Sequence, residues 1–114
     1  DHIALALPST TFEIYLEEQE AGFDLDAHIQ RIQDDLALFV PDFRVLRSGD
    51  QSIDGARSSW FEYADVFDGF PIVRREQVAL RDDLLVTFTL TSPVEFFEFD
   101  QTQTAAVIES FRFS

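Results

Sequence analysis

The sequence predicts an α+β fold: a twisted antiparallel β-sheet of about six strands with two helices packed on it. In residues 25–39, apolar side chains recur at steps of three and four, which is typical of an amphipathic helix. From residue 42 the apolar period changes to two, and short turns separate the successive segments. Consecutive strands flanked by helices favour an antiparallel meander. With 114 residues, one domain over 1–114 is expected.

Two strands are predicted before the first helix. Residues 2–7 form a short apolar strand that ends at Pro8, and residues 11–17 alternate apolar and polar side chains. A polar turn at Gly22 leads into the helix. The apolar positions are Ile3, Leu5 and Leu7 in the first strand and Phe12, Ile14 and Leu16 in the second.

The first helix has a start signal, an apolar face and a stop signal. Asp24 is placed as the N-cap, and Asp26 adds negative charge where the helix dipole favours it. Pro41 lacks a backbone donor and ends the helix. The predicted buried stripe is Leu25, Ile29, Ile32, Leu36 and Phe39.

Short strands and a second helix follow. Strands are predicted over residues 43–47, 51–53, 58–64, 72–80 and 84–91, with turns at 48–50, Asp54-Gly55, Asp68-Gly69 and Asp82-Asp83. Residues 94–100 are ambiguous, and the Phe96-Phe97 pair is a candidate to cap the core from a loop. Residues 101–110 read as a helix whose buried edge is Thr104, Val107, Ile108 and Phe111.

The charge of the chain excludes some partners. There are 22 acidic residues against 8 basic ones, so the net charge is −14. Such a surface repels phosphate backbones and anionic lipid, so neither nucleic acid nor a membrane is expected as a partner. No apolar run approaches the length that a membrane-spanning helix needs.

Catalytic and metal-binding motifs are missing from the sequence. There is no Cys, and His2 and His28 have no partners at metal-ligand spacing, so no transition metal is expected. No nucleophile elbow or Gly-rich phosphate loop is present, so we expect neither an enzyme nor a cofactor. The alternative is a cation site or a catalytic carboxylate pair. Its candidates are Asp34-Asp35, Asp82-Asp83, and the trio Asp65, Asp68 and Asp100, although turns and caps also explain them.

Two adjacent arginines lie in the middle of a predicted strand. Arg74 and Arg75 precede Glu76, and Glu62 lies on a neighbouring strand. Cross-strand ion pairing is one interpretation. A recognition patch for an acidic partner is the other.

The two short helices are not expected to cover the whole sheet. An uncovered apolar face usually marks a binding groove. We therefore predict a groove lined by Ile3, Leu5, Tyr15 and Trp60. The alternative is that loops or a dimer partner cover these side chains.

The order of these patterns resembles the DcrB-related proteins. This family includes the Eag-type effector-associated chaperones of bacterial type VI secretion and belongs to a broader PsbP-like fold group. The family usually opens with an additional strand, which the resemblance implies is missing before Asp1. The segments that carry the resemblance are residues 12–18, 26–31, 38–46, 53–56, 75–80, 85–91 and 108–112.

The resemblance implies a non-catalytic binding module. Eag-type chaperones are homodimers that shield apolar segments of a secreted effector, and their groove uses apolar residues of an early strand, matched here by Ile3 and Leu5. A cytoplasmic location is implied. The alternative within the family is an envelope lipoprotein domain of the DcrB type, which would be periplasmic or anchored to the envelope.

Overall fold

A computed structural model describes the backbone of residues 2–7 and 10–113, with side chains from residue 10 onward. The predicted α+β class is confirmed, with an antiparallel sheet and two α-helices. The elements are β1 (His2–Leu7), β2 (Thr10–Glu18), α1 (Leu25–Phe39), β3 (Val45–Ile53), β4 (Ala56–Phe67), β5 (Phe70–Arg81), β6 (Leu84–Pro93), a short 3₁₀ helix (Val94–Phe96) and α2 (Phe97–Ser110).

The sheet has the strand order β1-β2-β6-β5-β4-β3, and every neighbouring pair is antiparallel. Strands β3 to β6 form a meander, and β2 pairs with β6, the last strand of that meander. Five strands, β2 to β6, have described side chains, and β1 adds to the edge beside β2. The sequence-adjacent β2 and β3 are therefore far apart in the sheet, with α1 as their connection.

The two α-helices lie on opposite faces of the sheet. We call these the α1 face and the α2 face. Leu25 of α1 packs with Val78 and Leu85 on the α1 face. On the α2 face, Phe97 and Ile108 of α2 pack in the main core, whose strand residues include Phe12, Ile53, Val86, Phe88 and Leu90. Because side chains alternate along a strand, each strand contributes to both faces.

Helix α1 has the predicted boundaries. The carboxylate of Asp24 accepts a hydrogen bond from the backbone N–H of Ala27 at 3.2 Å, which confirms the predicted N-cap. Asp26 forms an ion pair with Arg57 of β4, which ties the first turn to the sheet. The predicted stripe is wrong at its last position, since Phe39 is 81% exposed.

Three predicted hairpin turns are confirmed. Asp54, Asp68 and Asp82 all have a positive φ, between 50° and 56°. Asp tolerates this left-handed conformation better than most residues because its short side chain can hydrogen-bond locally.

The predicted turn at residues 48–50 is wrong. Strand β3 runs without interruption through Gly49, which is paired with Trp60 of β4. A Cβ atom added to Gly49 would lie 2.9 Å from the indole ring. This glycine therefore makes room for a neighbouring side chain instead of ending the strand.

The second helix begins earlier than predicted. Residues 94–100 form a 3₁₀ turn and the first turn of α2, and Phe97 enters the core while Phe96 remains exposed. Of the predicted buried edge, Ile108 is buried but Val107 faces solvent. None of the helices in the described part of the chain is long and apolar enough to span a bilayer.

Candidate functional site

A groove with a volume of about 800 Å³ lies on the α1 face of the sheet. Strands β2, β5 and β6 supply its floor. Their alternating side chains place Thr11 and Glu13 of β2 opposite Thr91 and Thr89 of β6. The floor side chains are Thr11, Glu13, Ile72, Arg74, Glu76, Thr89 and Thr91.

Helix α1 leaves this part of the sheet uncovered. Its apolar contacts are with Val78, Leu80 and Leu85 near its start, and with Phe61 and Tyr63 toward its end. The floor of the groove instead carries short threonines and charged groups, which give an apolar helix stripe little to pack against. The polar residues of the floor therefore explain why α1 does not pack over this part of the sheet.

Aromatic side chains form the rim of the groove. Phe67 and Phe70 flank the turn between β4 and β5, and they are 66% and 68% exposed. Phe96, at the entry to α2, is 55% exposed. Large exposed apolar side chains gathered around one concavity are typical of a binding surface.

A desolvated carboxylate lies in the floor. Burial raises the pKa of Glu76 to about 7, and the nearby Glu13 carboxylate acts in the same direction. The hydroxyl of Thr89 donates a hydrogen bond of 3.0 Å to Glu76, which partly offsets the effect. Among the described residues, the ion pair of Arg74 is with Asp65, at 3.5 Å, and not with Glu76. The charge of Arg74 also lowers the pKa of Glu76, but no basic side chain in the described part of the chain forms an ion pair with this carboxylate.

The four residues predicted to line a groove do not come together. Tyr15 lies on the α1 face, where its hydroxyl donates to Glu13, but it is outside the groove lining. Trp60 pairs with Gln77 and lies on the α2 face. Ile3 and Leu5 pair with Ile14 and Phe12 in the β1–β2 register, and their side chains lie outside the described residues. The sheet separates Tyr15 from Trp60: β6 and β5 lie between their strands, and the pairing register places the two side chains on opposite faces.

The aromatic rim was missed from the sequence. A signal was present: Phe67-Asp68-Gly69-Phe70 places two phenylalanines around a tight turn, where solvent exposure is expected. The pairing of β2 with β6, which brings Glu13 close to Glu76, has no such local signal.

The acidic residues considered for a cation site have separate roles. Asp65 pairs with Arg74, Asp68 is a turn residue, and buried Asp100 accepts hydrogen bonds from Thr10 and Ser92. Across the residues that the structure describes, no group of three or more His, Asp or Glu side chains is placed to hold a metal ion. His28 packs beside Phe23, with ring centroids 5.1 Å apart.

The cross-strand interpretation of the arginine pair is confirmed. Arg75 donates to Glu62 at 2.7 Å, and Arg74 pairs with Asp65 on the same neighbouring strand. Arg75 is buried on the α2 face, while Arg74 lies on the α1 face. The two arginines therefore do not form one recognition patch.

Comparisons with known proteins identify the fold. The protein of unknown function PA94 from Pseudomonas aeruginosa is similar over 100% of this chain and 82% of its own, with a TM-score of 0.81 and 14% identity. LpqN, which is involved in cell envelope biogenesis of Mycobacterium tuberculosis, has a TM-score of 0.72 and 12% identity, over 96% of this chain and 68% of its own. PsbP (CyanoP) from Synechocystis sp. PCC 6803 has a TM-score of 0.65 and 16% identity, over 91% and 67%.

The chain thus has a PsbP-like fold, as the resemblance implied. No protein-family model and no curated protein sequence matches it. Because the sequence identities to these structures are low, the similarity shows the fold alone. The function has to be inferred from the chemistry of the groove.

Proposed function

We propose that this chain is a non-catalytic protein-binding module that holds an apolar segment of another protein in the groove on the α1 face. The observation that supports the proposal is the set of exposed phenylalanines, Phe67, Phe70 and Phe96, around one uncovered concavity of the sheet. Covering each phenylalanine contributes about 2 kcal/mol of hydrophobic free energy. Three such anchors at one site are typical of interface hot spots.

The charges of the groove favour a basic occupant. Its lining contains the acidic side chains Glu13, Asp68, Glu76 and Glu95 but one basic side chain, Arg74. A segment with a Lys or Arg beside its apolar residues would pair with Glu76. An acidic segment would be repelled. The partner is therefore an apolar protein segment that carries at least one basic side chain.

The family resemblance supplies a finer hypothesis. A DcrB-related chaperone of the Eag type would use the site to shield an apolar segment of a type VI secretion effector in the cytoplasm, as a homodimer. The net charge of −14 would keep the loaded complex soluble. Sedimentation of the purified chain tests the dimer, and co-purification with products of neighbouring secretion genes tests the client.

The alternative is an envelope role in the periplasm, as a DcrB-type domain. The similarity to LpqN, which is involved in cell envelope biogenesis in its own organism, favours this version. A lipobox Cys upstream of Asp1 in the gene would support it. Both versions use the same groove, so the binding experiment does not depend on the choice between them.

Two variants with matched exposure test the groove directly. Fluorescein-labelled 20-residue Leu/Ala peptides carrying two Lys, two Gln or two Glu would be titrated with the protein. We expect the Lys peptide to bind, and Phe70→Ser to weaken it about tenfold or more. Phe99→Ser is the control, because Phe99 is 67% exposed on α2 and outside the groove. Equal losses in both variants, or no binding by any peptide, would rule out this site.

One double variant tests the surface that the resemblance implied. Ile3→Asp together with Leu5→Asp alters β1, where these two residues pair with Ile14 and Phe12 of β2. If this double variant alone abolishes peptide binding, the client surface is at β1 and the groove is not the site.

A further inference from the structure

Three strands place Glu13, Thr89 and Glu76 in one row across the floor of the groove. Glu13 of β2 pairs with Thr89 of β6, and Thr89 pairs in turn with Glu76 of β5. Directly paired residues point to the same face of a sheet, and neighbouring strands lie about 4.8 Å apart. The row therefore presents two carboxylates to the groove, one on either side of a short threonine.

The Glu76 carboxylate can be reached from the groove. Glu76 is partly exposed and belongs to the groove lining. The Thr89 hydroxyl donates to its Oε2 at 3.0 Å, and an ionised carboxylate can accept further hydrogen bonds. The nearby Arg74 pairs with Asp65 instead, at 3.5 Å. An ammonium or guanidinium group that enters the groove can therefore bind to Glu76 without displacing an ion pair.

Charged groups surround Glu76 on both sides of its strand. Glu13 raises the pKa of Glu76, whereas the Thr89 hydroxyl and the charge of Arg74 lower it. Burial is the largest cause, so the pKa is raised to about 7. In the described part of the chain, the titratable side chains around this carboxylate and along the groove are Glu13 and Tyr15 from β2, Tyr63 and Asp65 from β4, Arg74 from β5, Asp68 from the β4–β5 turn and Glu95 from the 3₁₀ helix.

We infer that Glu76 makes the groove release its basic client on acidification. This inference rests on the proposed function and adds its regulation. When the client binds, the Glu76 carboxyl group loses its proton to solvent, and the carboxylate pairs with the Lys or Arg of the client. When Glu76 keeps its proton, the cation of the client would be desolvated beside a neutral group, which is unfavourable.

The direction of the dependence follows from the protonation of the empty groove. With a pKa of about 7, Glu76 is mostly ionised at pH 8 and mostly protonated at pH 5.5. A bound cation favours the ionised form, so the affinity is highest above pH 7 and falls as the pH decreases through this value. Each pH unit below the pKa reduces the ionised fraction about tenfold, so we expect the Kd to rise about tenfold or more between pH 8 and pH 5.5.

Fluorescence anisotropy at several pH values tests the inference. The probes are the 20-residue Leu/Ala peptides with two Lys or two Gln, labelled with tetramethylrhodamine because its emission does not depend on pH. At constant ionic strength, the Lys peptide should bind about tenfold more weakly at pH 5.5 than at pH 8, and the Gln peptide should change less than about twofold. Equal affinity of the Lys peptide at both pH values would overturn the inference and leave the proposed function intact. No binding of either peptide at any pH would reject the proposed function, and the inference with it.

Two variants identify the group that titrates. Glu76→Gln removes the charge but keeps the size of the side chain, so the Lys peptide should bind with the low-pH affinity throughout. His28→Gln is the control, because a histidine also titrates near neutrality. His28 lies on α1 outside the groove lining, where Arg31 and Glu17 influence its pKa. Dependence on pH that persists in Glu76→Gln, or that disappears in His28→Gln, would contradict the inference.

The titration of Glu76 can also be followed without a ligand. Carbon-detected NMR of the free ¹³C-labelled protein should give a midpoint near pH 7 for one side-chain carboxyl group, and this signal should be missing in Glu76→Gln. A midpoint near the ordinary glutamate pKa of 4.5 would overturn the inference, whether or not a peptide binds.

Discussion

The guanidinium carbon of Arg75 lies 3.8 Å from the ring centroid of Trp60, and its Nη1 donates to the carboxylate of Glu62 at 2.7 Å. Glu62 is almost fully buried and also accepts from Arg47, whose side chain is largely exposed. Trp60, predicted from the sequence to line a client groove, is instead half-buried on the α2 face as part of a structural cluster.

This cluster predicts that loss of Glu62 and loss of Arg47 reduce the free energy of unfolding by unequal amounts. Glu62→Leu should reduce the free energy of unfolding by about 3–5 kcal/mol, because it leaves Arg75 buried and unpaired. Arg47→Gln should cost less than about 1 kcal/mol, since the exposed partner of an ion pair contributes little. Urea denaturation at neutral pH measures both. Similar costs for the two variants would contradict the assigned burial.

Gly49 is expected to resist substitution because a larger residue would collide with the side chain of Trp60. Gly49→Ala should destabilise the fold by about 1–3 kcal/mol, because the added Cβ collides with the Trp60 ring. The chain has one Trp, so its fluorescence emission should change in the same variant. Ser48→Ala, on the other face of β3, is the control and should leave the emission unchanged. Unaltered stability and emission in Gly49→Ala would show that the ring moves freely.

The raised pKa of Glu76 predicts a pH dependence of stability. The folded state holds the proton up to about pH 7, whereas the unfolded chain releases it near the ordinary glutamate pKa of 4.5. The folded state therefore binds more protons between these values, and stability falls as the pH rises through this window. Below the window the contribution of this group is fully present.

Glu76→Gln should remove this dependence. The variant should match the wild type near pH 4.5 and exceed it by about 2–3 kcal/mol at pH 8, as judged by urea denaturation across the range. Glu20→Gln, at an exposed turn position, controls for the change in net charge. A gain at pH 8 of the same size in both variants would mean that net charge, not desolvation of Glu76, is responsible.

Asp100 is predicted to anchor the start of α2. Its Oδ2 accepts from Thr10 of β2 at 2.7 Å and from Ser92 of β6 at 2.6 Å. Asp100→Ala should cost about 2–3 kcal/mol, since Thr10 loses its acceptor and Ser92 keeps only its longer bond, 3.2 Å, to the carbonyl of Pro93. Glu98→Ala, in the same helical turn but exposed, should cost far less. Thermal unfolding compares them, and equal melting temperatures would refute the anchor.

Local sequence signals predicted most of the secondary structure. Asp24 and Pro41 bound α1, and the Asp turns at 54, 68 and 82 bound the hairpins, because caps and turns depend on a few adjacent residues. The failures came from tertiary packing. Gly49 looked like a turn residue but makes room for Trp60. Phe39 continued the helical stripe, yet its side chain is exposed, because a helical period does not show where the packing partner of the helix ends.

The sequence predicted that a groove would lie on an uncovered sheet face, but it did not predict which residues line that groove. An incompletely covered sheet face was expected, and the groove is such a face, but its lining includes neither Tyr15 nor Trp60. Periodicity predicts that successive side chains of one strand point to opposite faces of the sheet. It does not show which residues of a distant strand lie on the same face. The β2–β6 pairing decides that Glu13 and Glu76 share a face.

By itself, the sequence determined the class of fold, the helix caps, the hairpin turns and the strongly acidic surface, since each depends on composition or on residues a few positions apart. Only the tertiary structure decided that the helices take opposite faces, that Phe67, Phe70 and Phe96 surround one groove, and that Gln77 is buried with an unpaired oxygen. These features depend on pairings between strands far apart in the chain, and such pairings are set by the packing of the whole sheet.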